Sequence, residues 1–268
     1  MGSVAIRRPD PAIRLLSAGA GLVHSAVLLD SGLEHYRGSF RNPAMLLPLA
    51  TSTVNIAIDG TRLVTGCSTP DSSLRVAGQG GAVAVGLIGM GFHLFNIGKR
   101  PSGFGWGNLF HAAPLGAPAA LVLAGALGAA ADRAHASIIS DGRAVGALCA
   151  AGIVGTAAEA ALLHFRGAFQ NPAMWLPVAV PPIAAAALAA NAVVRRAQPT
   201  TAALLIVTAA LGFAGAAFHA YGVSRRMGGW RNWRQNILAG PPLPAPAAFT
   251  GLAVAGLGAL ILIGRVRG

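Results

Sequence analysis

Hydrophobic residues in this chain run in long blocks separated by short polar stretches. Eight apolar segments can be marked, at about residues 12–33, 43–60, 77–98, 109–131, 143–164, 172–194, 201–222 and 243–264. Each is close to the ~20 residues that a helix needs to cross the hydrocarbon core of a bilayer. The weakest is 43–60, interrupted by Thr51, Ser52, Thr53 and Asn55. Its counterpart at 172–194 contains Pro181 and Pro182. Both helices are therefore expected to be irregular near the middle, which a membrane tolerates only where neighbouring helices satisfy the backbone. The first segment follows a basic start, MGSVAIRRPDPAIR, and lacks a clear small-residue cleavage site. It reads as a retained first helix rather than a removed signal.

The pattern occurs twice. Residues 34–50 read EHYRGSFRNPAMLLPLA and residues 163–179 read LHFRGAFQNPAMWLPVA. Further along, GFHLF at 91–95 matches AFHAY at 217–221, and NLFHAAPLGAPAA at 108–120 matches NILAGPPLPAPAA at 236–248. The offsets are 129, 126 and 128 residues, so one four-helix unit is duplicated, with domains at 1–136 and 137–268. Four is an even number, so both copies enter a membrane in the same orientation. The expected fold is an all-α integral membrane protein with eight transmembrane helices. They form two parallel four-helix repeats related by a pseudo-twofold axis along the membrane normal.

That topology gives the bundle an A end, where the chain begins, and a B end. His35 and His164 fall at the B ends of the first and fifth helices, and His93 and His219 near the B ends of the third and seventh. Four imidazoles at one depth point to a site, because neutral imidazole is a common ligand for haem iron, copper and zinc. Asp30 and Glu159 share one repeat position, five residues before the histidine. An acidic residue kept in an apolar helix needs a partner. It can orient an imidazole, ligate a metal itself, or pair with Arg37 or Arg166, which follow the histidines by two residues. The candidate metal set is thus His35, His93, His164, His219, Asp30 and Glu159. Arg37 and Arg166 are candidates for holding a cofactor's carboxylates, lipid phosphates or the local carboxylates. His24 lies eleven residues before His35, on the same helix face and about 16 Å away. Its repeat position holds Ile153; an interior hydrogen bond is the ordinary role for such a histidine, a proton path the other.

Asn42-Pro43 and Asn171-Pro172 have a structural explanation, since Asn caps a helix and Pro fits its first turn. Gly38 and Gly167 are expected to serve the preceding turn. Trp106, Trp175, Trp230 and Trp233 fall near the B end, as an interfacial aromatic belt would.

Composition agrees with a membrane protein: 54% hydrophobic residues and 10% charged, against about 25% charged in a soluble domain. The net charge of +12 does not indicate nucleic acid, because the arginines stand as singles and pairs at segment ends. Eleven of the 20 Lys and Arg, among them Arg7, Arg8, Arg62 and Arg267, fall at the A end and nine at the B end. This favours a cytoplasmic A end, with both termini on that side of the cell membrane. Cys67 and Cys149 are too few for a disulfide framework or a thiolate metal site.

These features suit a membrane-embedded redox or metal-binding subunit. It would hold haem b or a transition metal (copper or iron) and exchange electrons with quinone inside a larger complex of membrane or soluble subunits. A transporter or channel with buried ionisable residues, or an anchor for a soluble enzyme, is the alternative.

Overall fold

The computed structural model describes residues 10–65, 73–111, 114–135 and 142–265. Arg7, Arg8, Cys67 and Arg267, weighed above, lie outside them. Every regular element among the described residues is helical. In chain order these are α1 (Pro11–Arg37), α2 (Leu47–Thr65), α3 (Ser73–Gly98), α4 (Trp106–His111), α5 (Gly116–His135), α6 (Arg143–Arg166), α7 (Leu176–Val194), α8 (Pro199–Ser224), α9 (Trp233–Leu238) and α10 (Ala247–Arg265). Short 3-10 turns precede α2 at Pro43–Leu46, α7 at Pro172–Trp175 and α9 at Gly229–Asn232.

Among the described residues, six stretches are long and apolar enough to cross a membrane: α1, α3, α6, α7 with its preceding turn, α8 and α10. The long helices α2 and α5 fall short. Thr51, Ser52, Thr53, Asn55, Asp59 and Arg62 interrupt the first, and Asp132 and Arg133 end the second. In the most apolar window of α10, 72% of residues are buried, and in that of α1 56%. The corresponding figures for α3 and α8 are 17% and 22%. The outer helices instead turn Leu87, Ile88, Phe92, Phe95, Ile206, Val207, Phe213 and Phe218 outward. Exposed apolar faces of this extent are what lipid contact requires.

Lipid tails are as apolar as leucine, so burying leucine in a membrane gains little, and close approach of backbones holds helices together instead. Gly19 of α1 meets the backbone of Gly251 and Ala255, and Gly258 meets Ala12 O. Gly142 packs on Ala259 O and Ile263 N, and Gly152 on Leu252. A β-carbon at Gly19, Gly251 or Gly142 would overlap backbone atoms of the facing helix. These contacts make α1 and α6 both antiparallel to α10, hence parallel to each other. At the A end, Arg265 donates two hydrogen bonds to Asp10, at 2.7 and 2.6 Å, tying the last helix to the cap of the first.

Two expectations need correction. The helix expected over 109–131 is divided into α4 and α5, because Pro114 cannot donate to a continuing helix. Pro118, in the first turn of α5, is tolerated there. The expected mid-helix irregularity of the second and sixth helices is absent, and α2 and α7 are continuous. In α2 the polar side chains bond back to their own helix: Thr53 Oγ1 to Leu49 O at 2.9 Å and Asn55 Nδ2 to Thr51 O at 2.9 Å. In α7, Pro181 and Pro182 lie inside the helix and leave two intrahelical bonds unmade without interrupting it. The irregular turn comes before each helix.

Candidate functional site at one end of the bundle

The repeated phrase folds the same way in both places. Asn42 and Asn171 each accept a backbone N–H two residues on, from Ala44 and Ala173, at 2.9 Å. Gly38 and Gly167 end α1 and α6 at negative φ, so the turn does not use their conformational freedom. The missing β-carbon of Gly167 makes room for the Met174 methyl group, whereas at Gly38 the Met45 methyl stands at ordinary contact distance. The left-handed positions are Ser39 (φ 57°) and Phe40 (φ 45°), then Ala168 (φ 54°) and Phe169 (φ 46°). A non-glycine residue there costs about 1–2 kcal/mol. The conformation is held because Phe40 N–H donates to His35 O and Phe169 N–H to His164 O, both at 3.0 Å. It sets each phenyl ring edge-on to the preceding imidazole, at 6.3 and 6.1 Å between centroids.

All four repeated histidines are half-buried and anchored alike. His35 Nδ1 donates to Met45 O at 2.7 Å and His164 Nδ1 to Met174 O at 2.8 Å. His93 Nδ1 donates to Pro114 O at 2.6 Å and His219 Nδ1 to Pro242 O at 2.7 Å. A carbonyl only accepts, so each Nδ1 carries a proton and the neutral ring keeps its lone pair on Nε2. Among the described residues, no hydrogen bond reaches any of these Nε2 atoms. Fixing one ring nitrogen on a carbonyl is how proteins orient a histidine whose other nitrogen binds a ligand.

Because α1 and α6 are parallel, His35 and His164 stand at the same end. His35 and His93 lie within electrostatic reach of each other, as do His164 and His219. In the first half, α1 and α3 each pack on α2 and α5. In the second, α6 and α8 each pack on α7 and α10. The histidine-bearing helices therefore occupy opposite corners of each four-helix group.

The acidic and basic candidates are less symmetric. Glu159 accepts the Gly116 N–H at the start of α5. The position matching Gly116 is Pro244, which has no N–H. Asp30 makes no hydrogen bond among the described residues, and feels Glu34, Glu159 and Arg37 only at a distance. Arg37 is exposed and pairs with the neighbouring Glu34, not with Asp30, and also donates to Ile237 O at 3.4 Å. Arg166 is exposed and has no ion pair among the described residues. Among the described residues, no group of three or more His, Cys, Asp or Glu is placed to hold a metal ion. Imidazole pairs are present without a third ligand. Cys149 is fully buried in the apolar core. The four tryptophans are between 48% and 75% exposed, as a belt requires.

One cluster was not legible as such. Arg62, placed by its sequence position among the A-end surface arginines, is 1% exposed. Its Nη2 donates to Asp132 at 2.5 Å, and its Nη1 to Asp59 at 3.3 Å, Ser17 at 3.2 Å and Gly128 O at 3.3 Å. Gln79 donates to Asp59 at 3.0 Å and lies 3.5 Å from His24 Nε2. The hint in the sequence was His24, a polar residue inside an apolar run. With Arg62 removed from the surface count, the A end keeps only ten basic residues against nine.

No family model matches the chain, and no curated protein or solved structure is similar to it.

Proposed function

We propose that the chain is a membrane-embedded haem-binding electron carrier, with one haem b site per half at the B end. In this reading α2 and α5 also span the membrane, with Asp59 and Arg62 of α2 and Asp132 of α5 paired inside the bundle and Arg133 exposed at the A end of α5. The eight long helices then form two parallel four-helix repeats related by a pseudo-twofold axis. The observation that carries the reading is the fourfold Nδ1 anchoring, which leaves four Nε2 lone pairs in two pairs at one end. Haem supplies four nitrogens to its iron and needs two more from the protein. Two imidazoles on opposite corners of a helix bundle suit that need, whereas a single copper or zinc ion wants a third side chain. Arg166, exposed and without an ion pair among the described residues, is suited to a propionate; Arg37 would have to release Glu34 first. Quinone is the electron partner this membrane location favours. Further subunits are a corollary, because the connections between helices are too short to form a soluble domain. The A end is assigned to the cytoplasm.

The test is an absorption spectrum of the detergent-purified protein, oxidised and dithionite-reduced. The reading expects a Soret band that shifts on reduction and weakens in His35→Ala and in His164→Ala. A colourless protein, or one whose band survives both substitutions, excludes it.

A further inference from the structure

The A end of the first half contains a buried polar network that the imidazole site does not use. It draws Ser17 and His24 from α1, Asp59 and Arg62 from α2, Gln79 from α3 and Asp132 from α5. Arg75 of α3 approaches Asp132 at 3.9 Å. The Asp59 and Arg62 side chains have no exposed surface, and the Asp132 side chain is 17% exposed. Asp59 Oδ2, His24 Nδ1 and Arg62 Nε have no hydrogen-bond partner among the described residues.

A fold does not need this network, and the second half shows why. At the repeat offsets, His24 corresponds to Ile153, Asp59 to Leu188, Arg62 to Asn191, Gln79 to Leu205 and Asp132 to Leu260. These residues are buried too, and Ile153, Leu188, Leu205 and Leu260 belong to the apolar core. The backbone is built alike around them: Gly86 packs on Pro118 O and Gly212 on the matching Pro246 O. An apolar core in this position is therefore sufficient, and replacing buried ion pairs by well-packed apolar residues is commonly neutral or stabilising. The first half keeps its charges for another reason.

We propose that this network is a proton-binding site inside the bundle, with the Asp59 carboxylate as acceptor and Asp132 as its opening to the A end. Two carboxylates and two guanidiniums balance, so one added proton gives the cluster one positive charge. The groups facing Asp59 are Arg62 on its own helix, His24 from α1, Gln79 from α3 and Asp132 from α5, with Arg75 behind Asp132. A proton from A-side water binds at Asp59 Oδ2, the carboxylate oxygen with no partner, and leaves by the same route. Arg62 Nη1 on Oδ1 disfavours a metal cation in the same place, because the guanidinium stays charged. The inference stands apart from the haem reading and survives its failure.

Infrared difference spectroscopy of the full-length protein in lipid, titrated in H2O and D2O, is the test. A carboxylic acid C=O band should grow as pH falls, shift on deuteration and vanish in Asp59→Asn. In Asp132→Asn the band should remain but exchange its proton more slowly. A variant carrying the second-half core (His24→Ile, Asp59→Leu, Arg62→Asn, Gln79→Leu, Asp132→Leu) should keep its helical circular dichroism and lose the band. The proposal is overturned if the wild-type protein has no titrating band, if the band persists in Asp59→Asn, or if the five-residue variant cannot fold.

Discussion

The two halves of the molecule share a plan and differ in their interiors. At the B end they match almost atom for atom in their polar contacts: asparagine caps, left-handed pairs ending in phenylalanine, and imidazoles anchored on carbonyls. At the A end, the first half buries Arg62 between Asp59 and Asp132, and the second buries Leu188, Leu205 and Leu260. The halves also meet unevenly. α1 packs along α10 through Gly19, Gly251 and Gly258, whereas α5 and α6 touch less, with Glu159 at the start of α5. The B-end features thus follow the two repeated phrases. Among the described residues, the buried A-end charges fall in the first half.

The largest way to break this comparison is Arg62→Leu. It leaves Asp59 buried without its cation and Asp132 with Arg75 alone, at 3.9 Å, and should destabilise the protein by about 3–5 kcal/mol. Asn191→Leu, at the matching position, removes only a side chain that caps Gln198 N–H at 2.8 Å and bonds Ala187 O. It should destabilise by about 1–3 kcal/mol. Denaturant unfolding in detergent, read by circular dichroism, compares the two. Equal losses would mean the halves carry equivalent interiors. Smaller and symmetric are Asn42→Ala and Asn171→Ala, each expected to lose about 1 kcal/mol. A large difference between them would break the claim that the two turns are equivalent.

The smallest effect concerns the clamp between the termini of the bundle. The Arg265 guanidinium beside Asp10 holds its carboxyl below the usual carboxylate range. A group with a depressed pKa in the folded state stabilises the fold above its unfolded-state pKa, and this is lost as pH falls through the folded value. Stability should therefore drop on acidification below the ordinary aspartate range, and Asp10→Asn should flatten that part of the profile. An unchanged profile in Asp10→Asn would show that the clamp adds nothing.

The placing of the four histidines at the B end was readable because they lie within short, repeated phrases. His35 to Met45 spans ten residues, and His93 to Pro114 spans 21. The anchoring carbonyls were not readable, since any backbone carbonyl looks the same in sequence. Arg62 was misread because, beside Asp59 on its own helix, its partners Ser17 and Asp132 are 45 and 70 residues away in sequence, and a charge near the end of an apolar run ordinarily faces headgroups. The break between α4 and α5 was hidden by the apolar residues on either side of Pro114. The left-handed pair Ser39-Phe40 gives no sign in sequence, because neither residue favours that conformation.

The most direct measurement of the central reading is the haem content of the purified protein, taken by pyridine haemochrome against protein mass. The account predicts two haems per chain, falling to one in His93→Ala and to one in His219→Ala. No haem, or a content unmoved by either substitution, contradicts it.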